Sequence, residues 1–298
     1  MAMTSRRRWI VGLLTGAAFI PAIVTLLIAA AGDTTADREL GQFDFAHSTS
    51  PSFARAKSLA LTGSPRGNGV AVDGAGHLYV VDTNNNRVLG WTSASSFANG
   101  DNAAIVIGAP DFYTHNQGCA RTATGLCGPI AVGVDPSGDL FVSGDHVEEF
   151  SAPFSQAPPI SGTTFVPNGS LDPWGVASDS HGDIYVAFRN QNEVVEYNSG
   201  STTPNLVFGQ ASSSGGSCNQ GGSPSATTLC APYGVAVDSA DNLYVADTGN
   251  NRALEYFNPL GAAVGGAGDA TADIVIGQAG FTTGPPGSLR PRSVPRRV

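Results

Sequence analysis

Apolar residues come in short runs separated by turn formers, and the same order of runs returns four times along the chain. The stretch from Tyr233 to Tyr256, YGVAVDSADNLYVADTGNNRALEY, leads with Val235 to Val237, continues with Leu243 to Ala246, and ends in a third run at Ala253 to Phe257. Each run has the length of a β-strand. Related stretches begin at Asn68, Ile130 and Trp174, and their leading aspartates Asp73, Asp135, Asp179 and Asp238 stand 62, 44 and 59 residues apart. Self-similarity at such a spacing is the signature of a repeat array, so the chain is read as four copies of one supersecondary unit.

The residues between the runs predict tight turns. Asp-Ser-Ala-Asp-Asn at 238 to 242, Asp-Pro-Ser-Gly-Asp at 135 to 139 and Asp-Gly-Ala-Gly-His at 73 to 77 each open on an Asp that can accept from the backbone two residues on. Gly76, Gly138 and Gly182 occupy the fourth position, which asks for positive φ, and Asp241 is a tolerable substitute there. The second turn reads Asp-Thr-Asn-Asn-Asn-Arg at 82 to 87 and Asp-Thr-Gly-Asn-Asn-Arg at 247 to 252. Each copy is therefore an antiparallel meander.

The first run, Gly-Val-Ala-Val, is apolar on both faces, which predicts cover on both sides. Its small residues, Gly69 and Ala71 or Gly234 and Ala236, suit a place where several sheets converge on an axis. A fourth run follows each meander, at 104 to 109, 206 to 210 and 274 to 278, with Thr163 to Val166 serving the second copy. The fold class is thus all-β: a β-propeller of four-stranded antiparallel blades, four of them recognisable, in an incomplete or truncated ring. Glu39-Leu40-Gly41-Gln42 looks like one more outer strand, placed to pair with the last blade and cover its edge.

The motifs Gly-Val-Ala-Val-Asp, Leu-Tyr-Val-Ala-Asp and Gly-Asn-Asn-Arg-Ala-Leu resemble the NHL repeat, a propeller-blade family common in bacterial exported proteins. The resemblance covers residues 39 to 289 and is closest in the first and fourth copies. The second copy lacks the Asn-Asn-Arg turn, and the third carries Arg189-Asn190-Gln191-Asn192-Glu193 in its place. It implies a propeller, and it leaves activity open, because this fold hosts binding modules and enzymes alike.

Around the repeats, residues 1–31 read as a signal peptide or N-terminal membrane anchor: Ser5-Arg6-Arg7-Arg8, an apolar stretch from Trp9 to Ala31, and an A-x-A site at Ala29-Ala30-Ala31. Ser-Arg-Arg-x-Trp-Ile resembles a twin-arginine signal. Cleavage after Ala31 is expected, although 23 residues are also long enough to span a bilayer. Residues 32–68 hold the outer strand and a lead-in, 69–289 the blades, and 290–298 a basic tail or the start of a fifth repeat. Cys119 with Cys127 and Cys218 with Cys230 occupy equivalent connections between blades. With an export signal, local disulfides are expected; no Cys-x-x-Cys spacing or neighbouring His supports a metal site. The location implied is extracytoplasmic, secreted or in the cell envelope, with membrane contact only through residues 9–31 if they stay uncleaved.

Charge narrows the partners. Without residues 1–31 the chain has 12 Lys and Arg against 24 Asp and Glu. Such a surface repels phosphate backbones, so nucleic acid is not expected as a partner. Catalytic signals are sparse. The five histidines, His47, His77, His115, His146 and His181, form no metal motif, and no Gly-x-Ser-x-Gly elbow occurs. His77 and His181 read as solvated turn residues, and His146 with Glu148 as a distorted turn or a site. Asp82 with Arg87 and Asp247 with Arg252 are expected to fasten turns and neighbouring blades. Asp73, Asp135, Asp179 and Asp238 could converge on an axial Ca²⁺, although their turn role already explains them. Two functions remain: a non-enzymatic propeller binding a protein, peptide or glycan through the loops of one face, or a metal-dependent propeller lyase or lactonase. The thin ligand set favours the first, with no cofactor.

Overall fold

The computed structural model describes residues 54–60, 69–114, 122–166, 172–213, 215–261 and 268–283. The proposed signal or anchor, the outer strand at 39 to 42 and the basic tail lie outside them. Four sheets of four antiparallel strands follow one another, each in simple chain order. The first contains β1 (Val70–Val72), β2 (Leu78–Asp82), β3 (Arg87–Trp91) and β4 (Ile105–Ile107). The second has β5 (Ala131–Val134), β6 (Leu140–Ser143), β7 (Val147–Phe150) and β8 (Thr163–Val166). The third has β9 (Pro173–Ser178), β10 (Ile184–Phe188), β11 (Glu193–Tyr197) and β12 (Pro204–Phe208), and the last β13 (Pro232–Val237), β14 (Leu243–Asp247), β15 (Arg252–Tyr256) and β16 (Ile274–Ile276). Each sheet is one blade, and β8 falls on Thr163 to Val166 as its sequence suggested.

The turn chemistry is as the residues dictate. The Asp73 carboxylate accepts from Ala75 N and His77 N at 3.0 and 2.8 Å, and Asp238 does the same with Ala240 and Asn242. Gly76, Gly138 and Gly182 take φ of 87°, 86° and 85°, and Asp241 accepts the left-handed conformation at 61°. In the second turn, Arg87 Nε donates to Asp82 at 2.6 Å and Arg252 Nε to Asp247 at 2.7 Å, with both pairs fully buried. The guanidinium of Arg87 also donates to the carbonyls of Arg55, Ser58 and Phe112, and that of Arg252 to Ser225, Thr228 and Phe281. Each Arg thus ties the segment entering its blade to the segment leaving it, while staying within its own blade.

Three of the four core clusters lie between blades, and the fourth, with Leu59, Leu78, Val80, Leu89 and Val106, lies on the outer flank of the first blade. Strand alternation sends Tyr79, Val81, Val88 and Ile107 against Leu126, Val132 and Val142 of the second blade. The second blade meets the third through Phe141, Phe165, Val176 and Val186, and the third meets the fourth through Tyr185, Phe208, Leu229 and Val245. Burying each of these side chains contributes about 1.5–3 kcal/mol. Inner strands touch backbone to backbone. A Cβ on Gly69 would stand 2.6 Å from Ala131 Cα, and one on Gly175 would stand 2.8 Å from the Tyr233 carbonyl oxygen. Glycine is what permits that approach.

Cover fails in part at the two ends of the row: on the outer flank of the first blade Leu78, Val80, Leu89 and Val106 are buried with Leu59, Trp91 and Ala103, and only the inner-strand valines stand open. Val70 and Val72 of β1 are 60% and 53% exposed, and Ile274 and Ile276 of β16 are 39% and 48% exposed. The inner strand was expected to be shielded on both sides in every copy; this holds for β5 and β9, which have a blade on each flank.

Candidate functional site

The inner strands of all four blades line one cavity of about 290 Å³, at the end where those strands begin. Gly69, Ala131, Gly175 and Gly234 leave it open, and two large rings close one side. Trp174 and Tyr233 hold the same position in consecutive blades, so the packing of β9 against β13 brings their centroids to 4.4 Å. Arg189, from the second turn of the third blade, places its guanidinium 5.4 Å from the Trp174 ring and 5.2 Å from that of Tyr233. Asp172 stands 3.8 Å from Arg189, whose Nε is buried without a hydrogen-bond partner. Trp174 is buried, Tyr233 half-buried, and the Arg189 side chain 35% exposed. A concave, largely apolar pocket with two aromatic faces and one oriented cation is suited to noncovalent recognition. Sequence reasoning missed this group, because residues 174, 189 and 233 meet only when two blades pack; the signal within reach was an aromatic at the first position of both the third and fourth copies.

The same end carries the disulfide connections. Cys218 and Cys230 are bonded, 12 residues apart. Cys127 is also in a disulfide, while Cys119 lies outside the described residues. Across two of the three interfaces between blades, the first–second and the third–fourth, an Asn in the left-handed conformation forms a staple. Asn86 Oδ1 accepts from Gly128 N and Asn192 Oδ1 from Ala231 N, both at 2.8 Å. This explains the Asn that precedes Arg87 in the repeat, a role not read from sequence. His146 and Glu148 form a buried pair at 2.7 Å, with Glu148 Oε2 unpartnered beside a space the size of one water. They sit where the second copy loses its Asp-Arg fastening.

The opposite end holds the aspartate turns. Asp73, Asp135, Asp179 and Asp238 do not converge: each carboxylate is engaged with its own turn. Among the described residues, the potential metal ligands that do gather are Asp179, His181 and Asp241, with one ligand atom from each within 4.8 Å of the others. Asp241 reaches across from the fourth blade to accept from Ser180 N and Oγ at 2.9 and 2.8 Å. His181 is exposed, as a solvated turn residue should be. His77 departs from that reading: its ring stacks on Phe154 at 4.0 Å and its Nδ1 lies 2.7 Å from Asp73.

The four turn aspartates divide electrostatically. Burial, the largest influence, pushes Asp135 and Asp179 up, and Asp139 and Asp183 add like charge nearby. Burial also pushes Asp73 up, but hydrogen bonds from the His77 side chain and backbone outweigh it and leave this carboxyl lowered. Bonds from Asn242 and Ala240 lower Asp238.

Residues 68–91 and 229–252 match the NHL repeat. No curated protein matches the chain. Solved structures with a similar course of chain include the virginiamycin B lyase of Staphylococcus aureus, at 15% identity and a TM-score of 0.43, covering 72% of this chain and 57% of the other. Hydrazine synthase of Kuenenia stuttgartiensis gives 13% identity and a TM-score of 0.44, covering 72% and 50%. A streptogramin B lyase gives 12% and 0.42, covering 66% and 54%, so the chain spans about half the length of the structures it matches. With four four-stranded blades in a row, and the repeat recognised in the first and the last of them, the chain is a β-propeller protein carrying NHL repeats.

Proposed function

We propose that this propeller is an extracytoplasmic binding module that takes a protein segment, peptide or glycan into the mouth of the cavity between its inner strands. The observation that carries the reading is the Trp174–Tyr233 pair with Arg189 stacked against both rings at the rim. Aromatic faces suit sugar rings and apolar side chains, and the guanidinium supplies donors for a carbonyl or carboxylate. The Cys218–Cys230 disulfide supports an oxidising compartment. The acidic balance of the chain does not suit a nucleic-acid partner.

The test is titration of the full chain, in mild detergent, against peptide and glycan panels. Binding that weakens about tenfold or more in Y233A and R189A, while folding is retained, supports the reading. Absence of binding across both panels, or binding untouched by these substitutions, overturns it. A second reading, a metal-dependent lyase or lactonase, is favoured by the Asp179, His181 and Asp241 grouping. Lactone and ester hydrolysis that disappears with chelator and with D241N would establish it in place of the first.

A further inference from the structure

Equivalent residues of the third and fourth blades are bonded differently. In the fourth, the Tyr244 hydroxyl lies 3.1 Å from Asp238 Oδ2 and 2.8 Å from Glu255 Oε1, joining the turn to the neighbouring strand. Asp179, Tyr185 and Glu196 hold the same three positions in the third blade, with Tyr185 opposite Glu196 as Tyr244 is opposite Glu255. Among the described residues, neither of those two bonds has a counterpart there. Asp179 Oδ1 accepts from His181 N and Asp183 N, both at 2.9 Å, and Oδ2 is left without a hydrogen bond. Glu196 accepts from Asn205 through Oε2, while its buried Oε1 has no partner. The charges of Asp179, Glu196, Asp183 and Asp241 all bear on the Tyr185 hydroxyl, so four carboxyl groups gather around it. Asp179 is 5% exposed and Glu196 wholly buried, and among the described residues no Lys or Arg pairs with any of the four. Buried carboxylates are costly unless a cation or a set of donors accompanies them.

We propose that Asp179, His181 and Asp241 hold a divalent transition cation that clamps the third blade to the fourth. The three bring one ligand atom each to within 4.8 Å of the others, two from the third blade and one from the fourth. Ligands about 2.0–2.2 Å from a zinc ion stand roughly 3–4 Å apart, a separation reached by a small turn of the His181 ring, whose side chain is 71% exposed. Its Nδ1 already lies 3.7 Å from Asp241 Oδ2. Asp241 spans the boundary by accepting from Ser180 N and Oγ, and each of its oxygens keeps a further lone pair for a metal. The imidazole selects an ion such as Zn²⁺ over Ca²⁺, which takes oxygen ligands. A cation at this place offsets the charge of Asp179 and of Glu196 behind it. The site lies at the end opposite the Trp174–Tyr233 cavity, so the binding reading does not bear on it. It rests on the same grouping as the hydrolytic reading, and it requires no turnover.

The experiment is calorimetric titration of Zn²⁺ into the chelator-stripped full chain in mild detergent, paired with thermal unfolding. Wild-type protein should bind Zn²⁺, and an ion concentration about 100 times Kd should raise the unfolding midpoint by about 5 °C. H181A alters an exposed side chain, and D241N puts Asn in a left-handed position that Asn tolerates, so both variants keep the fold. Each should weaken Zn²⁺ binding about tenfold or more and lose the midpoint rise. H77A, which removes a histidine held by Asp73 and Phe154 at the same end, should bind as the wild type does. Zn²⁺ binding of this pattern without chelator-sensitive hydrolysis upholds the site and ends the hydrolytic reading alone. No heat with Zn²⁺, a midpoint rise that persists in H181A and D241N, or equal weakening in H77A would overturn the proposal. Ca²⁺ bound more tightly than Zn²⁺ and indifferent to H181A would overturn it too, while leaving the hydrolytic reading standing.

Discussion

Asp179 and Asp238 open the same turn, yet one carboxyl is held above its ordinary range and the other below it. The difference comes from burial of Asp179 and from the fifth turn residue, which is Asp183 in one blade and Asn242 in the other. Asn242 donates its amide to Asp238 at 3.0 Å, while Asp183 can offer only its backbone N–H and a like charge. Asp183 Oδ1 also accepts from Ser199 N, just as Asn242 Oδ1 accepts from Asn258 N, so Asn can perform both tasks. D183N should therefore stabilise the protein by about 0.5–1.5 kcal/mol at pH 7, measured by denaturant unfolding, and should lower the Asp179 pKa. The Arg252–Asp247 pair predicts a change of opposite sign. R252A leaves a buried carboxylate without its cation and three carbonyls without their donor, and should cost about 3–5 kcal/mol by the same measurement. A loss below about 1 kcal/mol would mean that water replaces the guanidinium.

At the scale of the strand, glycine in β9 and β13 holds one sequence position and two different environments. G175A drives a methyl into the Tyr233 carbonyl and the Val235 N–H, neither of which can move without shifting a whole blade. It should cost about 1–3 kcal/mol. G234A meets nothing closer than 3.9 Å and should leave the unfolding midpoint of the monomer unchanged or slightly raised. Equal losses in the two variants would show that strand conformation, not the approach of neighbouring blades, selects glycine here. The connection before β13 has its own constraint. Replacing Cys218 and Cys230 by Ser opens a short loop and should cost up to about 3 kcal/mol, seen as a lower midpoint under non-reducing conditions.

Over the whole molecule, two buried carboxyls set how stability follows pH. Burial pushes Glu193 and Glu196 up to about 7, and one Glu196 oxygen has no hydrogen-bond partner. The unfolded chain releases these protons near 4.5, whereas the folded chain keeps them until about 7. Unfolding in that window therefore releases protons. The contribution of the two groups is fully present below pH 4.5 and is lost as pH rises through 7. Thermal unfolding should show a midpoint that falls between pH 5 and 8, and E196Q should flatten the fall by about 2 °C or more. An unchanged slope in E196Q would assign the dependence to other carboxyls.

The repeat alone determined the strands, the turns and the blade. Apolar runs of strand length, an Asp opening each first turn and Gly76, Gly138 or Gly182 at the positive-φ position are local demands, and local demands are written in adjacent residues. The Asp82–Arg87 fastening was legible for the same reason, since its partners are five residues apart. Tertiary structure alone decided which surfaces meet. Trp174, Arg189 and Tyr233 come together only because β9 packs on β13, and the staples of Asn86 and Asn192 cross from one blade to the next. The four turn aspartates looked alike in sequence, but their turns engage them separately, and the one grouping of ligand atoms among the described residues arises where Asp241 reaches over the blade boundary. Gly234, Ile274 and Ile276 show the same division. Their identities follow the repeat, but whether a blade covers them is a property of the assembled row, because burial depends on a neighbour that no single repeat encodes.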